Sequence, residues 1–190
     1  MEIDLPEKAD VVTCDLLCCG LFFEPEIQIM NNAKRFLKPG GAFIPEEVES
    51  RVDLVSAETD TYGLRFDYLN RATVLPGDRL LTDTVLYNRS RFADDLSGWI
   101  DADVTLTGKT GGTANAIRLT GRAKLADGIY TGHTSSLFNP ETIFLKTPVT
   151  VEAGLGYRLR MHYLGGGDPL EAKISVEATH ARSQAEAVPA

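Results

Sequence analysis

Residues 9–45 read ADVVTCDLLCCGLFFEPEIQIMNNAKRFLKPGGAFIP, and the order of signals in this stretch decides the fold. Val11, Val12, Thr13 and Cys14 form an apolar, β-branched run that ends on Asp15, the pattern of a buried parallel strand whose C-terminal end carries chemistry. A loop follows. Glu24 and Pro25 then open a helix, with proline pre-set for the first helical position and Glu24 and Glu26 beside the positive end of the dipole. Ile27, Met30, Ala33 and Leu37 recur at helical spacing and give one apolar stripe. Lys34, Arg35 and Lys38 suit the negative end, and Pro39-Gly40-Gly41 is expected to stop the helix. Ala42 to Ile44 reads as a second short strand, so the unit is strand, loop, helix, strand, with a right-handed crossover if the strands are parallel.

From Glu46 onward the period changes from helical to alternating. Val52, Leu54 and Val55 suggest one strand, and Leu80 to Tyr87 another after the turn signal Pro76-Gly77-Asp78. Ile100, Ala102, Val104 and Leu106 alternate with Asp101, Asp103 and Thr105, and Gly108 to Gly112 reads as a hairpin loop before Ala116 to Leu125. Pro148 marks an edge or a bulge within Ile143 to Val151. Tyr157, Leu159, Met161 and Tyr163 alternate with Arg158, Arg160 and His162, and Gly165 to Asp168 leads into Ala172, Ile174, Val176 and Ala178. The expected class is α/β plus all-β. Residues 1–46 form a partial Rossmann-like unit, residues 47–181 an antiparallel β-barrel or sandwich, and residues 182–190 a disordered tail.

Composition bounds the function. The chain has 190 residues, 43% of them hydrophobic, and a formal net charge of -8. That balance, with no lysine or arginine cluster, argues against a nucleic-acid partner. No apolar run approaches the roughly 20 residues of a membrane span, and the acidic start MEIDLPEKAD is unlike a secretion signal, so no membrane and a cytoplasmic location are expected. Three cysteines crowded at 14, 18 and 19 agree with a reducing compartment, and their spacing reads as buried or loop thiols with no metal site.

The stretch from Ala9 to Glu24, followed by a helix, Arg35-Phe36-Leu37-Lys38-Pro39-Gly40-Gly41 and a strand ending in Ile44-Pro45, resembles the second half of the catalytic domain of the protein arginine methyltransferases. These are class I S-adenosylmethionine-dependent enzymes with a β-barrel after the Ile-Pro junction. Asp15 and Glu24, nine residues apart, match the spacing of the family's paired-glutamate loop, and Thr131-Gly132-His133-Thr134 sits near the place of its Thr-His-Trp loop. The resemblance implies S-adenosylmethionine as cofactor and a protein or small-molecule methyl acceptor. It assigns Asp15 and Glu24 as catalytic residues and His133 as a support of the same pocket. Asp15 stands where the family has glutamate, and Thr134 where it has tryptophan.

The chemistry suits a guanidinium. Two carboxylates converging from both ends of one loop can grip it by charge-assisted hydrogen bonds and localise its charge away from the attacking nitrogen. Like charges also repel, which raises one pKa towards that of a usable proton acceptor. No G-x-G precedes Asp15, so this chain by itself is expected to bind S-adenosylmethionine poorly and to be incomplete and inactive alone. It is then expected to be a fragment, the product of a late start codon or half of a two-chain enzyme, and the unpaired edge at Ala9 to Cys14 is expected to favour a partner chain or self-association. The other reading of the same residues is a non-catalytic β-sandwich that binds or scaffolds, with Asp15 as a cap or solvated acid, His133 as a loop histidine, His162 and His180 on polar faces, and Trp99 as a core or sheet-edge anchor.

Overall fold

The computed structural model describes residues 5–61, 63–65, 70–71, 74–133 and 138–179. Thr134, His180 and the tail 182–190 lie outside the described residues. In chain order the elements are β1 (Ala9–Thr13), α1 (Glu26–Ala33), β2 (Leu37–Ile44), β3 (Glu47–Ser56), β4 (Asp60–Thr61), β5 (Leu64–Arg65), β6 (Asn70–Arg71), β7 (Arg79–Leu80), β8 (Val85–Arg91), β9 (Trp99–Thr107), β10 (Gly112–Ala126), β11 (Ile129–Gly132), β12 (Glu141–Val151), β13 (Gly156–Leu164) and β14 (Lys173–Thr179).

β1 and β2 pair in parallel through the α1 crossover, with Val11, Val12 and Thr13 opposite Ala42, Phe43 and Ile44. The expected helix is shorter than its apolar stripe. α1 ends at Ala33, Lys34–Phe36 make one tight turn, and Leu37 already belongs to β2. Pro39-Gly40-Gly41, expected as a helix stop, runs inside that strand. Gly40 at φ +78 absorbs the irregularity between the Ala9 and Val11 pairings. β1 is also less buried than an interior parallel strand. Val11 is 47% exposed, and among the described residues β1 has β2 as its one strand partner.

The rest is an antiparallel barrel of two curled sheets. One has the order β6-β12-β10-β3-β7, with β8 also on β3 and β11 on β10, and the other is β14-β13-β9. The alternation read at Ile100 to Leu106 and at Tyr157 to Tyr163 points those side chains into the core, where Leu106, Tyr157 and Leu159 are essentially inaccessible. Each fully buried side chain of this size contributes roughly 1.5–3 kcal/mol. Pro148 lies in a bulge: Ala114 faces Val149 while Ala116 faces Phe144, leaving Leu145–Pro148 as excess chain on β12.

Two strand readings need correction. Leu80 to Tyr87 is not continuous, because the chain breaks between β7 and β8. There the Thr82 hydroxyl accepts the Leu54 N–H at 3.0 Å, and Asp83 takes the Thr107 N–H at 2.7 Å. Gly108 to Gly112 is not a hairpin either. β9 pairs with β13 and β10 with β3 and β12, so the glycines carry the chain from one sheet to the other. A methyl at Gly108 would sit 2.1 Å from the Glu152 carbonyl oxygen, which explains a glycine at that crossing. Of the two readings of Trp99, the sheet edge holds and the core does not: it opens β9, an outer strand of β14-β13-β9. It is 46% exposed and stacks on His162 at 4.7 Å between ring centroids.

The barrel and the strand-helix-strand unit share one core. Leu21, Phe22, Ile27, Met30 and Phe43 are buried in the same cluster as Val48, Leu119, Leu159 and Tyr163.

Candidate active site

The Cys14 N–H donates to the Ile44 carbonyl at 3.0 Å, carrying the parallel ladder one residue beyond β1. Asp15 therefore stands at the carboxyl end of the strand pair, exposed. From there the chain dives. Cys18, Cys19, Gly20, Leu21 and Phe22 are all buried against the barrel, and the Leu21 N–H closes a tight turn on the Cys18 carbonyl at 3.0 Å. Gly20 at φ +79 and Leu21 at φ +52 make that turn left-handed. The glycine is required twice over, since a Cβ would also lie 2.7 Å from both Leu119 Cδ1 and the Tyr87 hydroxyl oxygen. Leu21 costs about 1–2 kcal/mol in this conformation and persists because its side chain is fully packed.

The barrel holds the turn by polar contacts as well. Tyr163 donates its hydroxyl to the Gly20 carbonyl at 2.7 Å, and the Tyr87 and Tyr163 hydroxyls are 2.8 Å apart. Burial raises both phenols above their ordinary range, so they remain hydrogen-bond donors at any physiological pH. The Gly166 N–H donates to the Phe22 carbonyl at 3.2 Å, and Gln28 donates to Gly165 at 2.7 Å. Cys18 ends the loop: its sulfur accepts the N–H groups of Phe23 and Glu24, each at 3.3 Å, and so fixes the backbone from which Glu24 projects.

Glu24 is half-buried, and Glu26, in the first turn of α1, is completely buried. Neither oxygen of Glu26 has a hydrogen-bond partner among the described residues. Burial first, then the charges of Asp15 and Glu24, push its carboxyl up to about 8. Asp15 and Glu24 thus act on Glu26, and burial deepens from exposed Asp15 through half-buried Glu24 to Glu26. In the sequence Glu26 reads only as a carboxylate at a helix start. Its signal is the apolar stripe itself, because Glu26 lies one turn before Met30 and so on the face that turns inward.

His133 lies elsewhere on the loop's support. It is exposed, its backbone N–H donates to the Gly121 carbonyl at 3.2 Å, its Nδ1 is 3.4 Å from the same oxygen, and it lies within electrostatic reach of Asp53. The Gly121 backbone also faces the Cys19 thiol, so His133 and the acidic loop meet at Gly121 from different sides. Asp53 is fully buried and held by Arg118 at 3.1 and 2.8 Å and by Thr84 at 2.7 Å.

Two grooves open away from the acids. One, of about 830 Å³, runs between Lys34 and Lys38 on one side and Glu46, Glu47, Arg91 and Lys124 on the other. The second lies along the three-stranded sheet by Arg160 and Leu170. Among the described residues no group of three or more histidine, cysteine, aspartate or glutamate side chains could hold a metal ion, and no helix is long and apolar enough to cross a membrane.

The described residues do not form a cradle for S-adenosylmethionine. Neither parallel strand leads into a glycine-rich turn at a helix N-terminus; the loop after β1 is filled by buried Cys18, Cys19 and Phe22, and Gly40-Gly41 lie inside β2.

No family model matches the sequence, and neither does any curated protein. The fold does have a solved counterpart. It is similar to the Trypanosoma brucei PRMT1 enzyme-prozyme heterotetrameric complex with AdoHcy, at a TM-score of 0.69 and 15% identity, over 93% of this chain and 69% of that one. A partial methyltransferase-like α/β unit followed by an antiparallel β-barrel is therefore the architecture of this protein.

Proposed function

We propose that this chain is the acceptor-binding part of an arginine-methyltransferase-like enzyme that uses S-adenosylmethionine, with Asp15 and Glu24 as the residues that receive a guanidinium. The observation that carries the reading is the clamped loop. An acid ends a parallel strand, a second acid opens the crossover helix, and the segment between them is buried against the barrel and tied to it by Tyr163. Such a loop fixes the backbone from which Glu24 projects, and an in-line methyl transfer requires groups that position the nucleophile. Asp15 and Glu24 bind the cationic acceptor and draw its charge away from the attacking nitrogen. His133 is a positioning residue that acts through Gly121.

The cofactor requires groups beyond those described, and the free edge of β1 is where a further strand, from a partner chain or another copy, would add them. That β1 has β2 as its one strand partner among the described residues supports this, as does the heterotetrameric assembly of the trypanosome counterpart. The test is calorimetric titration of the chain with an acetylated, amidated Gly-Arg-Gly peptide. Asp15→Asn together with Glu24→Gln is expected to weaken binding at least tenfold, and equal binding by the variant would sink the reading.

A further inference from the structure

The acid that the pair reading leaves unused is Glu26. It is completely buried, both of its carboxyl oxygens lack a hydrogen-bond partner among the described residues, and it lies beneath Asp15 and Glu24 at the start of α1. An arrangement of this kind is costly to the fold, because a buried carboxyl without a partner forfeits hydration and receives nothing in return. Leucine would fill the position without that cost. Its surroundings are also selective. The titratable groups facing it are Asp15 beyond the end of β1, Glu24 before α1 and the Cys14 thiol, itself raised above its ordinary value by burial first and then by Glu26. Two negative neighbours and a burial that disfavours charge both keep the Glu26 proton in place until positive charge arrives.

We propose that Glu26 is a third carboxyl of the acceptor site, one that releases its proton to solvent when an organic cation, a guanidinium or alkylammonium group, enters between Asp15 and Glu24. The inference rests on the function proposed above and adds to it the exchange of one proton for one cation. Charge balances: the neutral carboxyl becomes a carboxylate, the bound cation supplies the opposite charge, and the proton leaves to water. An arriving cation turns the same neighbours from a penalty into a shared cage. The site thereby discriminates in favour of charged acceptors over neutral ones of equal shape, because a neutral ligand cannot draw the proton out.

The test is titration of the unmodified chain with the same Gly-Arg-Gly peptide in phosphate and in Tris, whose ionisation heats differ, at several pH values. Release of close to one proton per peptide at pH 7 and below, with affinity rising nearly tenfold per pH unit between 6 and 7.5, is the expected result. Glu26→Gln, which copies the protonated form in shape, should abolish both the proton release and the slope. Binding without proton release overturns the role of Glu26 and leaves Asp15 and Glu24 in theirs. A chain that binds no arginine peptide overturns the function itself. The proton count on the unmodified chain stands even if the variant does not fold.

Discussion

Tyr163 on β13 and Gly20 in the acidic loop are joined by a buried hydrogen bond of 2.7 Å that spans 143 residues of sequence. It is the point at which the barrel sets the backbone of the candidate site. Tyr163→Phe leaves the Gly20 carbonyl without its donor in a region closed to water. We expect a loss of about 1–3 kcal/mol in urea denaturation. Tyr87→Phe should cost less, because Gly20 then keeps its partner.

Gly20 and Gly40 share a left-handed φ near +78 but differ in surroundings. A Cβ at Gly40 meets nothing within 4 Å, whereas one at Gly20 strikes Leu119 and Tyr87. Gly40→Ala should therefore cost only the backbone term, about 1–2 kcal/mol. Gly20→Ala should add an overpacking penalty of roughly 1–3 kcal/mol. Equal melting temperatures for the two variants would count against the loop packing described here.

Glu26 also makes stability depend on pH in a direction opposite to the usual carboxylate. Its folded value, about 8, lies above its unfolded value near 4.5. Between those limits the folded state holds more protons than the unfolded one, so stability present at low pH is lost as pH rises through that window. The loss is on the order of 3 kcal/mol by pH 7. Denaturation midpoints measured from pH 5 to 8 should fall for the natural chain and change less for Glu26→Gln.

Arg118 grips the fully buried Asp53 with two nitrogens. Burial raises the Asp53 carboxyl even with that partner beside it. Arg118→Met would leave the acid with Thr84 alone, at an expected cost of about 3–5 kcal/mol. Combining it with Asp53→Leu should recover part of that loss, a result readable in a double-mutant cycle.

Much of this architecture was legible in the residues. Strand, acid, loop, helix and strand followed from local signals between Val11 and Ile44, and strict alternation placed Ile100 to Leu106 and Tyr157 to Tyr163 in the core. Pro148 announced its bulge. The failures share one cause, which is that long-range pairing overrode a local pattern. Leu37 continues the helical stripe, yet pairing with Ala9 draws it into β2. Gly108 to Gly112 has hairpin composition, but the strands on either side find partners in different sheets. The burial of Glu26 went unread because an acid at a helix start has an ordinary role there. Its place one turn before Met30, on the apolar stripe, was the signal that it faces inward.

Glu24 rests on a backbone held by Cys18, Gly166 and the barrel core, while Asp15 hangs from a strand with one strand neighbour among the described residues. The two arms of the clamp therefore differ in stiffness. In the proposed site Glu24 would be the fixed jaw and Asp15 the compliant one, and a strand added along the outer edge of β1 would set the gap between them. Recruitment at that edge and grip on the proposed acceptor would in this way be a single mechanical adjustment.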